Sequence, residues 1–363
     1  MQYVDELMGL ETNFDIIHRV IRLGDTDACM YLIDGFCKDE LMQKILQYLM
    51  DLKAEDFPKD AHEMSKIAIP YVEVDLDDTW EKILGALLSG VFVLLLDGYE
   101  KAVLIDARTY PARGVEEPDK DKVLRGSKDG FVETVVFNTA LIRRRIRSTD
   151  LHMEMLNAGE NSRTDIVLCY MESRVDPKLL TQIRERIRSI QVDALAMNQE
   201  SLAECLYQRK WYNPFPKFKY TERPDTAAAQ VLEGNLVILV DNSPSAMILP
   251  TTIFDVVEEA DDYYFPPVTG TYLRLTRFLI ALLTYFVTPT YLLLMNHRMW
   301  IPENLEFIIL KEDPNVPLIL QFLLLELAID GLRLAAVNTP NMLSTPLSVM
   351  AALVLGEFSV ESG

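Results

Sequence analysis

Cysteine and histidine are both scarce in this chain, with four of each among 363 residues. Cys29, Cys37, Cys169 and Cys205 stand apart without a Cys-x-x-Cys pair, so neither a zinc cage nor a dithiol couple is written in the sequence. All four read as buried structural thiols. His18, His62, His152 and His297 lack any shared spacing with serine or cysteine that a nucleophile and its base would need. Also missing are a phosphate loop, a dinucleotide fingerprint, a His-Glu-x-x-His pair and a nucleophile elbow. These absences predict a protein that is not an enzyme, with no catalytic residue, metal or cofactor. Positive charge is short as well: 35 Lys and Arg stand against 55 Asp and Glu, a net −20. Residues 271–363 hold eight acids and five bases, which leaves −17 on the first 270 residues. Such a surface offers no grip on nucleic-acid phosphates, and it suits a soluble region held at an anionic membrane without lying on it. The first ten residues contain two acids, no base and no long apolar run, unlike a secretory leader, which points to a reducing compartment.

What is present is an α/β pattern that occurs twice. The apolar run Ala28 to Ile33, closed by Asp34-Gly35, predicts a buried strand, and a helix from about Lys38 to Leu52 follows with Leu41, Ile45, Leu46 and Leu49 on one face. A second helix, Trp80 to Leu88, stops at Gly90. Val91–Leu96 and Lys101–Asp106 then flank the turn Asp97-Gly98-Tyr99-Glu100 as a hairpin. The same order returns with the strand Asp165–Met171 and the helix Pro177–Ile190, which is opened by Asp176 and Pro177. A helix Ala227–Leu232 stops at Gly234, and the hairpin Leu236–Val240 and Ser245–Leu249 closes the series. The hairpins align without gaps at an offset of 144, Gly90 with Gly234 and Asp97 with Asp241. The predicted organisation is mixed α/β: a first subdomain over 1–107, a helical inter-subdomain segment over 108–150, a related second subdomain over 151–270, and a membrane-embedded helical region over 271–363.

In that last region residues 278–296 carry no charge, and nineteen residues at about 1.5 Å each span about 28 Å, enough for the hydrocarbon core. Arg274 and Arg277 flank one end, and His297, Arg298 and Trp300 the other, as interface anchors do. Pro289 is expected to kink the helix. Pro317–Val337 is also apolar, yet it carries Glu326, Asp330 and Arg333, whose spacings of four and three put them on one helical face. Ionisable groups facing lipid are costly, so this face either holds helices together or borders a polar path. Residues 334–356 are broken by Pro340 and Pro346 and read as a short re-entrant segment, with Ser348–Gly356 helical. The membrane part reads as incomplete.

Three charged groups remain. Arg143, Arg144, Arg145 and Arg147 end a helix in the inter-subdomain segment, and the protein's own acids are the simplest partners for them, ahead of a phosphate ligand. Asp75, Asp77 and Asp78 lack the glycine and glutamate of a calcium loop and read as solvated loop residues. Asp97 and Asp241 are turn residues chosen for local hydrogen bonding.

Several stretches resemble the A-subunit family of bacterial spore germinant receptors over nearly the whole chain. They are Arg125–Glu133, Asn138–Ile146, Asn213–Pro216, Thr221–Asp225 and Asp261–Tyr264, while Trp300-Ile301-Pro302-Glu303 is similar to the branch called stage V sporulation protein AF. The resemblance implies a place in the inner membrane of the spore, with the soluble region on the cytoplasmic side. It also implies partners among other germination-complex subunits and a homo-oligomeric, ring-like channel role in ion release or signal amplification. Members continue beyond the point where this sequence stops, and many have a Glu-Ala-rich stretch where it has Asp330–Arg333. Within the motifs, Pro224 is expected to end an extended stretch, and Glu222, Arg223, Arg143 and Arg144 to bridge the subdomains. The alternative is a receptor module that takes a small germinant between the two α/β halves.

Overall fold

In the computed structural model, the residues described are 2–37, 39–109, 127–207, 212–213, 215–257, 264–310 and 316–337, with the isolated positions 349, 353 and 356. The chain divides into two compact units, Met1–Arg274 and Leu275–Gly363.

The first unit is built on two five-stranded antiparallel sheets. The first comprises β1 (Ile16–Leu23), β2 (Thr26–Ile33), β3 (Val74–Asp77), β4 (Phe92–Leu96) and β5 (Ala102–Ile105), in the order β1-β2-β4-β5-β3. The second comprises β6 (Leu151–Ala158), β7 (Thr164–Met171), β8 (Lys219–Thr221), β9 (Leu236–Val240) and β10 (Ala246–Leu249), in the order β6-β7-β9-β10-β8. The two orders are the same topology. Strands β4 and β9 both follow a glycine at positive φ, Gly90 at +96° and Gly234 at +97°. That conformation ends the preceding helix and turns the chain into the sheet, and only glycine adopts it without strain.

Both faces of each sheet are buried, because each lies between two layers of helices. In the first sheet α2 (Asp39–Met50) and α3 (Ala61–Ile67) cover one face, with Ile45, Leu49 and Met64 against Met30, Phe92 and Leu94. On the other face α1 (Gln2–Leu7) and α4 (Trp80–Leu88) bring Val4, Ile83 and Leu87 against Cys29, Tyr31 and Val93. The second sheet repeats this. Helices α6 (Pro177–Arg188) and α7 (Gln199–Leu206) lie on one side, and α5 (Val135–Arg145) and α8 (Pro224–Leu232) on the other. Strands buried on both faces read as continuous apolar runs, which is why β2, β7 and β9 were legible.

The α/β reading therefore holds, with differences in detail. The edge strands β1, β3, β6 and β8 have no counterpart in the sequence reading: β1 and β6 mix charged with apolar residues, and β3 and β8 are short and half-polar. Asp75 and Asp77 lie on β3 and not in a loop, and the Asp77 carboxylate accepts from the Thr79 amide at 2.9 Å and from Lys82 at 3.1 Å. Cys29 and Cys169 are buried, but Cys37 is only partly so and Cys205 is exposed. Helix α8 begins three residues earlier than its apolar run, because Pro224 at its first turn opens the helix.

The second unit is helical where described. The helix Pro267–Asn296, thirty residues with Pro289 inside it, starts before the boundary at Arg274 and continues into this unit, where Leu318–Val337 forms a twenty-residue helix. Tyr291 and Phe322 meet edge-on at 6.1 Å. The re-entrant reading of 334–356 lies mostly outside the described residues.

Candidate functional site

Helix α5 belongs to the second sheet by packing, yet it also touches the first half. Its Ala140 packs with Ile33 and Phe36 at the end of β2. Gly35, at φ +77°, sits so close that a Cβ there would lie 3.4 Å from Ala140 and 3.5 Å from Val136. The amide of Val135 at the start of α5 donates to the Asp241 carboxylate at 3.1 Å, so Asp241 neutralises the exposed helix dipole as well as standing in its turn. Asn138 holds the preceding segment by pairing with both backbone groups of Val132, at 2.8 and 2.6 Å.

Arg143 lies near the far end of α5. Its guanidinium forks onto Asp15, Nε to Oδ2 at 2.7 Å and Nη2 to Oδ1 at 2.9 Å, and Nη1 donates to the carbonyls of Leu151 at 3.1 Å and Ser148 at 3.4 Å. Both side chains are sealed, at 0% and 2% exposed. Beside them Asn13 accepts from the Met153 amide at 2.6 Å and donates to the Met8 carbonyl at 2.8 Å. The Phe14 amide donates to the Met153 carbonyl at 3.3 Å. The segment before β1 is thereby stitched to the start of β6. His152 closes the cluster: it stacks on Tyr170 at 5.7 Å, and its buried Nδ1 has no hydrogen-bond partner among the described residues. Burial pulls the His152 imidazole below its usual range, against the raising effect of Glu172 and with the help of Arg143.

A second network lies over α8. The Arg223 guanidinium, fully buried, forks onto Asp225 at 3.1 and 2.6 Å, donates to the Ser127 carbonyl at 2.9 Å, and lies 5.7 Å from the centre of the Tyr264 ring. The Tyr264 hydroxyl donates to Asp225. Arg145 joins through Asp129 at 2.5 Å and Ser127 Oγ at 3.2 Å, and the Phe131 amide donates to the Glu222 carbonyl at 2.8 Å. Burial alone would raise the Asp225 carboxyl, but Arg223 and Tyr264 outweigh it and hold that group below the usual carboxylate range. Four stretches singled out in the sequence thus converge on one place.

Among the residues predicted to bridge the halves, Arg143 meets Asp15 of the first half, whereas Arg223 pairs with Asp225 two positions on and ties down the inter-subdomain segment. Glu222 takes part through its backbone carbonyl, and Arg144 is exposed on α5. Asp15 and Asn13 were missed, since two polar residues ahead of an unrecognised edge strand carry no periodic signal. Glu326 and Asp330 are exposed on the helix Leu318–Val337, where Arg333 also lies. A cleft of about 300 Å³ opens elsewhere, at one end of the first sheet, between Asp78, Trp80, Tyr99 and Lys101. No group of three or more His, Cys, Asp or Glu that could hold a metal ion occurs among the described residues.

A family model described as Bacillus/Clostridium GerA spore germination protein matches residues 2–363. Stage V sporulation protein AF of Bacillus subtilis (strain 168) is 38% identical over 364 residues, covering 100% of this chain and 73% of that protein. A membrane protein of the same organism, YfkQ, is 31% identical over 357 residues, covering 96% of this chain and 68% of the relative. Among solved structures, the N-terminal domain of the A subunit of the Bacillus megaterium spore germinant receptor GerK3 matches with a TM-score of 0.53 and 27% identity, over 69% of this chain and 93% of that one.

Proposed function

The chain belongs to the Bacillus/Clostridium GerA spore germination protein family, and on that basis we propose that it is a non-enzymatic membrane subunit of a spore germination complex. It sits in the inner membrane of the spore with its α/β region on the cytoplasmic side. It assembles with other germination subunits and with copies of itself, and contributes to ion release or to amplifying the germination signal. It has no nucleic-acid partner.

The observation that carries this reading is the helix Pro267–Asn296. Thirty residues reach about 45 Å, its apolar stretch has a mean hydropathy of 1.9, and none of that stretch is buried. Leu279, Ile280, Leu282, Phe286 and Leu293 all face outward. In water each would forfeit about 1.5–3 kcal/mol of burial, so a lipid phase is the fitting surroundings. Reduced cysteines support the cytoplasmic side, and the acidic composition supports the absence of nucleic acid. Glu326 and Asp330, one turn apart, support a polar face turned from lipid towards a water path or a neighbour.

Two measurements test it. Carbonate extraction of the full chain should leave it in the membrane pellet, and recovery in the supernatant would overturn the membrane assignment. Spores carrying Glu326→Gln or Asp330→Asn should release ions more slowly with unchanged membrane retention of the protein, and normal efflux would remove the polar-path role.

A further inference from the structure

The two outer edges of the first sheet are opposite in charge. Edge strand β1 reads Ile16-Ile17-His18-Arg19-Val20-Ile21-Arg22-Leu23 and contains no acid. From Ile17 to Val20, and again at Arg22, its side chains are exposed, in a chain whose net charge is −20. At the other edge β3 is preceded by Val72-Glu73 and followed by Asp78, with Asp75 on the strand, and all four of these residues are exposed. Each edge also carries apolar side chains in solvent: Val20 is 57% exposed on the basic edge, and Val72 is 97% exposed on the acidic one.

An open strand edge is a template for another strand, and proteins usually blunt it with charge. Here the charges differ in sign between the edges, so they select among pairings. Two β1 edges side by side repel, as do two β3 edges, while β1 against β3 attracts. The faces agree as well. Ile16 of β1 packs towards α1 and α4, so His18, Val20 and Arg22 share that face. Val74 and Leu76 of β3 pack towards α2 and α3, which puts Asp75 and Asp77 on the α1/α4 face too. The strand order, antiparallel at every step, makes β1 and β3 run in the same direction. A rotation about an axis along the strands therefore sets β1 of one copy beside β3 of the next, with His18 and Arg22 on the same face as Asp75 and Asp77, and Arg19 exposed along the edge on the opposite face.

From this we propose that the β1 edge of one copy docks on the β3 edge of a second copy of this chain, a head-to-tail contact that leaves one edge of each kind free for further copies. This rests on the assembly of copies with one another proposed above. Such a heterologous contact propagates, and closes into a ring when the rotation permits. Arg19, Arg22 and Val20 are its basic half, and Val72, Glu73 and Asp75 its acidic half.

The test uses the full chain in detergent, followed by sedimentation. Arg19→Glu with Arg22→Glu makes both edges acidic, and Glu73→Lys with Asp75→Lys makes both basic. Each variant alone should associate at least about tenfold more weakly than the unaltered chain, since opposed like charges cost kcal/mol. Mixing the two should restore association, because each then meets its complement. A bis-maleimide should also join Val20→Cys to Val72→Cys chains in a Cys205→Ser background, and neither to itself. An oligomer that ignores the reversals, or Val20→Cys chains that join one another, overturns this surface while leaving self-assembly standing. An unaltered chain that sediments as a single copy overturns the assembly reading itself.

Discussion

Arg143 and Asp15, 128 positions apart in the chain, meet as a two-pronged ion pair with both side chains closed to solvent. The contact joins the helix that spans the two halves to the segment leading into the first sheet. A buried pair of this kind adds little net stability over an apolar pair of equal size, but it penalises any arrangement in which one partner is left alone. It therefore specifies how the halves are joined.

Arg143→Met should accordingly cost about 3–5 kcal/mol, because it strands the Asp15 carboxylate in an apolar site. Adding Asp15→Leu should recover part of the loss. Recovery should stay incomplete, since the Ser148 and Leu151 carbonyls lose their donor too. Pulse proteolysis of the detergent-solubilised chain in urea measures both, and equal stability of the single and double variants would contradict this account.

The Arg223 network should respond to shape as well as charge. Arg223→Lys keeps the charge but loses the fork and the reach to Ser127, at a cost of about 1.5–3 kcal/mol. Tyr264→Phe removes one donor to Asp225 and should cost about 1 kcal/mol. Hydrogen exchange in the Ser127–Thr134 segment is the readout, and unaltered protection in Arg223→Lys would dismiss the fork.

Acid sensitivity follows from two groups, one held neutral and one held anionic in the native state. The native His152 imidazole binds a proton less readily than the unfolded one, so stability is full above the ordinary value of 6.5 and declines as pH falls below it. Asp225 is depressed below its ordinary 3.8, so its contribution is present above that value and is lost only as pH falls further. A stability profile from pH 7 to 5 should flatten in His152→Gln and keep its slope in Asp225→Asn. The reverse pattern would show that the slope arises elsewhere.

Three glycines at similar φ separate steric from conformational cost. Gly90 and Gly98 lie at +96° and +81°, but a Cβ on Gly90 would come within 2.3 Å of the Phe36 ring, while Gly98 faces open space. Gly98→Ala should cost about 1–2 kcal/mol for the left-handed backbone alone. Gly90→Ala should cost clearly more, and Gly234→Ala, 2.9 Å from the Arg174 carbonyl oxygen, should resemble it. Equal unfolding midpoints for Gly90→Ala and Gly98→Ala would refute the steric part.

Much of this architecture was open to inspection in the chain itself. The runs Ala28–Ile33, Asp165–Met171 and Leu236–Val240 announced central strands because both of their faces are buried, and the 144-residue offset announced that the pattern repeats. The long uncharged run ending at Asn296 was equally plain as one long apolar helix, and Pro267–Asn296 forms it. Edge strands were hidden: half-exposed residues obey no single periodicity, and β1 carries three basic or imidazole side chains where a strand core would not. The partners were hidden too. Nothing near Asp15 points to Arg143, and no spacing rule links Arg223 to Ser127 or Tyr264, because a salt bridge needs only that the folded backbone bring two atoms within about 3 Å. Local pattern and burial determine which elements form, and those are written residue by residue along the sequence. Which charged groups meet, and which edges stay open, was decided only when the two sheets closed around α5 and brought distant polar atoms into a site without water.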